Sequence, residues 1–201
     1  MDKIFTKNIE HESAVKHVTG KAIYTDDISE PKNLLHAVIG YSNCSKGVIK
    51  KIDYKDVLSS EGVVDIITEK DIEGINDVGP IFKGDKIFTS KNIEYYGQPI
   101  FAVIAKTNNL AKKAALKVKI DLKISKPIVS IEEALKKKSF VLKPKHLTRG
   151  NIKDGFKKSD NILKGKLYSG GQDHFYLEGQ IAMTIPQEDN NLLVYSSTQH
   201  P

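Results

Sequence analysis

The chain has 201 residues, 39% of them apolar and 28% charged, with a net charge of +6 and one cysteine, Cys44. That length suits one or two domains with a buried core, and no apolar run approaches the ~20 residues that a helical bilayer span requires. The lone cysteine excludes an internal disulfide, a CxxC redox pair and a cysteine-ligated iron–sulfur cluster within this chain.

Residues 1–18 are polar and aperiodic, which predicts an extended lead-in without the apolar h-region of a secretory signal; a cytoplasmic location is expected. Lys21–Tyr24 reads as a short strand, turned by Asp26-Asp27. Leu34–Tyr41 is mostly apolar and reads as a buried strand, and Val48–Tyr54 alternates as a half-exposed one. Asp56 is placed to cap a short helix through Ser60, Gly62 to end it, and Val63–Thr68 reads as the next strand. Residues 69–91 are loop-rich. The turn Tyr95-Tyr96-Gly97-Gln98-Pro99 then feeds Ile100–Ala105, a continuous apolar run of buried-strand length. Asn108 is the expected N-cap of a helix whose Leu110, Ala111, Ala114, Ala115 and Val118 recur at helical spacing. Ile120, Leu122 and Ile124 alternate with Lys119, Asp121 and Lys123 as a half-exposed strand.

Ser130-Ile131-Glu132-Glu133 has the form of a capping box opening a helix to about Lys138. Residues 140–158 are basic and irregular and read as a linker. Beyond them the pattern is β: Ile162–Tyr168, Phe175–Leu177, Gln180–Ile185 and Leu192–Ser197, with Asp189-Asn190-Asn191 as hairpin-turn chemistry between the last two. The unit boundary is expected near residues 140–160.

A positive net charge invites a nucleic-acid reading, but Arg149 is the only arginine, and bidentate phosphate and guanine recognition favours that residue. The lysines are scattered apart from Lys136-Lys137-Lys138, so they read as a solvated surface. There is no HxxxH or HxH metal spacing, no Walker loop, no GxGxxG and no GxSxG. His11 and His17 fall in the polar lead-in and read as solvated. Tyr96-Gly97-Gln98-Pro99 reads as structural, with Gly97 permitting an unusual φ and Pro99 fixing the entry to the strand.

The terminal stretch carries the remaining chemistry. Gly170-Gly171 allows a close backbone bend, and Gln172, His174 and Glu178 supply hydrogen-bonding groups interleaved with Phe175, Tyr176 and Leu177. Strand alternation predicts His174, Tyr176 and Glu178 on one side. Glu178 in that setting needs a hydrogen-bonding partner. Gln199 follows Ser196-Ser197-Thr198 at a strand end, and its neutral amide can donate to an oxo or carbonyl oxygen.

GGQDHFYLEGQIAMTIPQEDNNLLVYSSTQHP closely resembles the start of the molybdenum-binding region of the xanthine dehydrogenase and aldehyde oxidase family. GKAIYTDDI, LLHAVIGYS, GINDVGP, EYYGQPIFAVIA and IVSIEEAL resemble successive parts of the α/β hammerhead domain that precedes it, so the likeness runs from about Val18 to Pro201. The implied fold is α/β (α+β): a lead-in over 1–17, a hammerhead-type mixed domain over 18–140, a linker over 141–159, and over 160–201 a truncated β-rich start of the molybdopterin-binding domain.

The resemblance further implies the N-terminal portion of a molybdenum hydroxylase subunit that binds molybdopterin, commonly as its cytosine dinucleotide. Such an enzyme hydroxylates a purine, another N-heterocycle or an aldehyde with oxygen from water. Gln199 is the implied cofactor contact, through a hydrogen bond to an oxygen or other ligand on the molybdenum. Gln172, His174, Tyr176 and Glu178 match the motif as residues that shape the pocket. Cys44-Ser45-Lys46-Gly47 departs from a common Ala-His-Gly run, which affects loop detail.

The family's glycine-rich GGFGGKE-type segment, its substrate-orienting groups and its glutamate base are expected outside this chain. No catalytic residue is therefore assigned, and the chain is expected to be inactive alone. The implied partners are the remainder of the molybdenum subunit and iron–sulfur and FAD subunits or domains. A non-catalytic assembly module or gene relic, and a generic basic nucleic-acid binder, are the competing readings.

Overall fold

The computed structural model describes residues 10–199, so the expectations for residues 1–9, His200 and Pro201 lie outside the described residues. In chain order its elements are α1 (Ala14–Val18), β1 (His36–Tyr41), β2 (Gly47–Asp53), α2 (Lys55–Leu58), β3 (Val63–Ile67), β4 (Asn92–Ile93) and β5 (Pro99–Ala105). They continue with α3 (Asn108–Ala115), β6 (Lys119–Ile124), α4 (Ile131–Lys137), α5 (Ile152–Lys158), β7 (Ala182–Pro186) and β8 (Leu192–Ser196). Residues 32–152 form one unit. The segment through Pro31 joins the residues from Lys153 onward in a second, a division that differs from the sequence segmentation at its N-terminal side.

In the unit over 32–152, the apolar run at Ile100–Ala105 becomes the central strand of a sheet ordered β1-β5-β3, antiparallel on both sides. Phe101, Val103 and Ala105 alternate onto one face and are fully buried. Ala111 and Ala114 of α3 are buried in the same core cluster, where their small side chains let helix and sheet approach. Tyr54 meets the Phe101 ring edge-on, with centroids 5.2 Å apart. Opposite Phe101 in the register stands Gly40, where a Cβ would come within 2.2 Å of the ring. That close approach explains why the position carries no side chain.

The strand–helix–strand order over 99–124 is not a parallel crossover. β6 leaves the sheet of β5 and pairs with β2 in a second sheet ordered β4-β2-β6, and every strand pair among the described residues is antiparallel. Lys119, Asp121 and Lys123 face solvent while Ile120 and Leu122 are half-buried, as the alternation requires; Ile124, however, is exposed. The Tyr96–Pro99 turn is a built corner: Gly97 has φ +80°, and buried Gln98 accepts the Glu94 N–H through Oε1 at 2.8 Å.

Several local expectations are corrected. Lys21–Tyr24 is not a strand but runs into a 3-10 turn at Thr25–Asp27, and α1 occupies part of the expected extended lead-in. Asp56 does not cap α2, because the helix begins at Lys55; Asp53 Oδ1 accepts the Lys55 N–H at 2.9 Å and Asp56 pairs with Lys119 at 2.6 Å instead. Thr107, not Asn108, caps α3 by accepting the Leu110 N–H at 3.3 Å. Ser130 does accept the Glu133 N–H, at 3.2 Å, at the start of α4. The basic stretch read as linker contains α5. Neither Ile162–Tyr168 nor Phe175–Leu177 forms a strand.

Candidate functional site

The second unit contains one hairpin, β7–β8. Its turn places Asp189 and Asn190 at φ +56° and +59°, the double left-handed geometry that asparagine and aspartate tolerate in two-residue hairpin loops. The Gln187 N–H donates to Asn191 C=O at 2.8 Å and the Asn191 N–H to Glu188 C=O at 3.1 Å, which sets the register with Thr184 opposite Val194. That register carries the chain out of β8 into Ser197-Thr198-Gln199, alongside the segment that enters β7.

Ser197 stitches the two together. Its hydroxyl donates to Gly179 C=O at 2.7 Å and accepts the Ile181 N–H at 3.0 Å, while its own N–H donates to Ile181 C=O at 3.1 Å. Upstream, the Gln180 amide donates to the Tyr176 hydroxyl at 2.7 Å. Glu178 is half-buried, and its Oε1 accepts the backbone N–H of Thr25 at 2.8 Å. This is the partner that the carboxylate required, and it comes from the opposite end of the chain.

These contacts frame a cleft of about 880 Å³ whose lining includes His174, Tyr176, Glu178, Gln180, Ser196, Ser197, Thr198 and Gln199. Gln172 is not among the lining residues. The residues at 174, 176 and 178 do share the cleft, but not by strand alternation: Phe175 sits at φ +45°, so the chain bends between them. Gln180 and the hydroxyl run Ser196-Ser197-Thr198 join the wall although motif reasoning singled out only Gln199 from that side. The hairpin turn was the signal that would have found them, since it returns Ser196 to face Ala182. Thr25 had no such signal, because 153 positions separate it from Glu178. A second cavity, of about 830 Å³, lies in the other unit and is lined mostly by apolar residues around Tyr41, Tyr96 and Leu116.

The donor set defines what the cleft can hold. Among the described residues no group of three or more His, Cys, Asp or Glu side chains is placed to bind a metal ion, and one oxygen of the only carboxylate in the wall is already engaged. Amides and hydroxyls suit hydrogen bonding to a polar organic group that brings its own metal ligands. Molybdopterin, whose dithiolene sulfurs hold the molybdenum, is such a group, and the residues present fit it.

A mixed α/β unit with antiparallel sheets and a β-hairpin unit with a polar cleft are the two parts of the chain that two family models match in turn. The family model described as aldehyde oxidase and xanthine dehydrogenase, a/b hammerhead domain, matches residues 19–126, and that of the molybdopterin cofactor-binding domain matches residues 132–201. The chain belongs to the aldehyde oxidase and xanthine dehydrogenase family. It is 38% identical to xanthine dehydrogenase of Dictyostelium discoideum over 196 residues, covering 98% of this chain and 14% of that protein. Against aldehyde oxidase 2 of Rattus norvegicus it is 39% identical, covering 96% of this chain and 14% of the relative. The solved aldehyde oxidoreductase of Desulfovibrio gigas superposes with a TM-score of 0.77 at 27% identity, covering 92% of this chain and 23% of that one. The chain thus spans 14% of the length of these curated relatives.

Proposed function

We propose that this chain is the N-terminal portion of the molybdenum-binding subunit of a hydroxylase, and that its terminal unit forms one wall of the molybdopterin site. The observation that carries this reading is the meeting of His174, Tyr176, Glu178 and Gln199 in one cleft within the matched molybdopterin domain. When bound, the cofactor, in its cytosine dinucleotide form, supplies the redox chemistry for hydroxylating an N-heterocycle or aldehyde with oxygen from water.

The chain's own residues bind and orient. The Gln199 amide offers a neutral donor that adds no charge to the site. Ser197 fixes the segment that leads to it by closing three hydrogen bonds onto residues 179–181. Glu178 accepts the Thr25 N–H through Oε1 and so holds the wall to the N-terminal segment. Gln172 does not line the cleft and has no assigned role in its wall. The catalytic base and the substrate-reading groups come from the rest of the subunit, and electrons pass to iron–sulfur and FAD domains or subunits in the cytoplasm.

The test is assembly. Co-expressed with the rest of its molybdopterin domain, the chain should copurify in a complex that contains molybdenum by elemental analysis, whereas the chain alone should not retain the metal. A stable complex without molybdenum would mark the chain as a non-catalytic assembly module.

A further inference from the structure

The β7–β8 ladder leaves one edge built for pairing. Its bonded positions follow from its ends: Gln187 N–H donates to Asn191 C=O and Ser197 N–H to Ile181 C=O, so bonded pairs recur at every second residue between them. The intervening pairs turn their backbone groups away from the partner strand. On β8 these are Leu192, Val194 and Ser196, three consecutive outward N–H and C=O sets; on β7 the series ends at Pro186, which has no N–H to give. The β7 edge is thus blunted at its turn end and the β8 edge is not.

Side chains repeat the asymmetry. Leu192 and Val194 are 63% and 55% exposed. In a chain that is 28% charged, no charged residue occurs from 191 through 199. Proteins guard solvent-facing edges with charge, especially lysine, and this lysine-rich chain places none there. A two-stranded sheet is also below the three strands that independent stability needs.

We propose that the outer edge of β8 is paired, in the assembled protein, by a further β-strand from the rest of the molybdopterin domain. This rests on the proposed function. The occupant follows from length: the matched part covers only 23% of the aldehyde oxidoreductase, so most of that relative's chain lies outside it. The added strand lies beside the run from Leu192 to Ser196 and so bounds the cleft on the Gln199 side. Assembly and completion of the cofactor pocket then become one event.

Residue-resolved hydrogen exchange on the chain alone and on its complex with the rest of the domain provides the test. The amides of Leu192, Val194 and Ser196 should slow by roughly 100-fold on assembly, as paired edge amides do, while that of Thr184 on the β7 edge stays as it was. Val194→Pro removes an outward N–H without removing a β7–β8 bond, and should weaken assembly at least tenfold. A complex that holds molybdenum while the three amides exchange as before overturns the pairing and leaves the function standing. Slowed amides in a complex devoid of molybdenum keep the pairing and overturn the function. Amides already slowed in the isolated chain, and released on dilution, assign the edge to a second copy and overturn the proposal.

Discussion

Glu178 Oε1 accepts the backbone N–H of Thr25 at 2.8 Å, joining residues 153 positions apart within one unit. The contact ties the GKAIYTDDI segment to the cleft wall. It gives the N-terminal residues a structural part in a site whose other elements come from the far end of the chain.

Removing that acceptor should loosen the wall. Glu178→Ala leaves the Thr25 N–H without its partner, and a half-buried hydrogen bond to a charged group contributes about 1–2 kcal/mol. Denaturant unfolding should show the loss, and the Thr25 amide should exchange faster. Glu178→Gln keeps an acceptor oxygen and should restore most of the protection. Equal Thr25 exchange in wild type and Glu178→Ala would remove the contact from the account.

Gln199→Ala should slow an active assembly without unfolding it, since Gln199 is exposed at the cleft. Loss of a preorganised neutral donor costs on the order of 100-fold in kcat. Molybdenum content and kcat separate binding from turnover; if both are unchanged, Gln199 is not a cofactor contact.

Gly40→Ala should destabilise the unit over 32–152 by about 1–3 kcal/mol, because overpacking a filled core forces side chains off their rotamers. The obstacle is the Phe101 ring, 2.2 Å from where the new methyl would sit. Adding Phe101→Leu should recover part of the loss, so the double variant should be more stable than the two single effects predict. Simple additivity in thermal unfolding would show that the ring is not what excludes the methyl.

Tyr54 should make this unit sensitive to high pH. Burial of its hydroxyl, and then the Asp71 carboxylate nearby, push its pKa up from the ordinary 10.0 to about 12. Between those values the unfolded chain has lost the phenolic proton and the folded chain still holds it, so stability falls as pH rises through that window. Below pH 10 the contribution is fully present. Tyr54→Phe should flatten the dependence between about pH 10 and 12, as measured by unfolding across that range; an unchanged slope would clear Tyr54 of the effect.

How much of the fold is legible in the sequence depends on the range of the forces involved. Hydrophobic periodicity is local, so the buried run at Ile100–Ala105, the alternation at Lys119–Leu122 and the amphipathic α3 were all legible in order and kind. The double left-handed turn at Asp189-Asn190 was legible too, since those residue types tolerate that backbone. Caps were less so: Thr107 and Asn108 are both good cap residues, and residue type alone does not choose between them. The terminal motif was misread as geometry. Phe175 turns left-handed where alternation predicted a strand, yet His174, Tyr176 and Glu178 still meet Gln199.

What the sequence determined by itself, then, is the buried strand β5, the alternating strand β6, the amphipathic helix α3, the hairpin turn and the family likeness. Only the tertiary structure decided that β5 and β6 belong to different antiparallel sheets and that Thr25 would satisfy Glu178. The same holds for the outward-facing groups of β8, which follow from its register with β7. Pairing and hydrogen-bond satisfaction join residues far apart in the chain, and no local pattern specifies which distant partner wins.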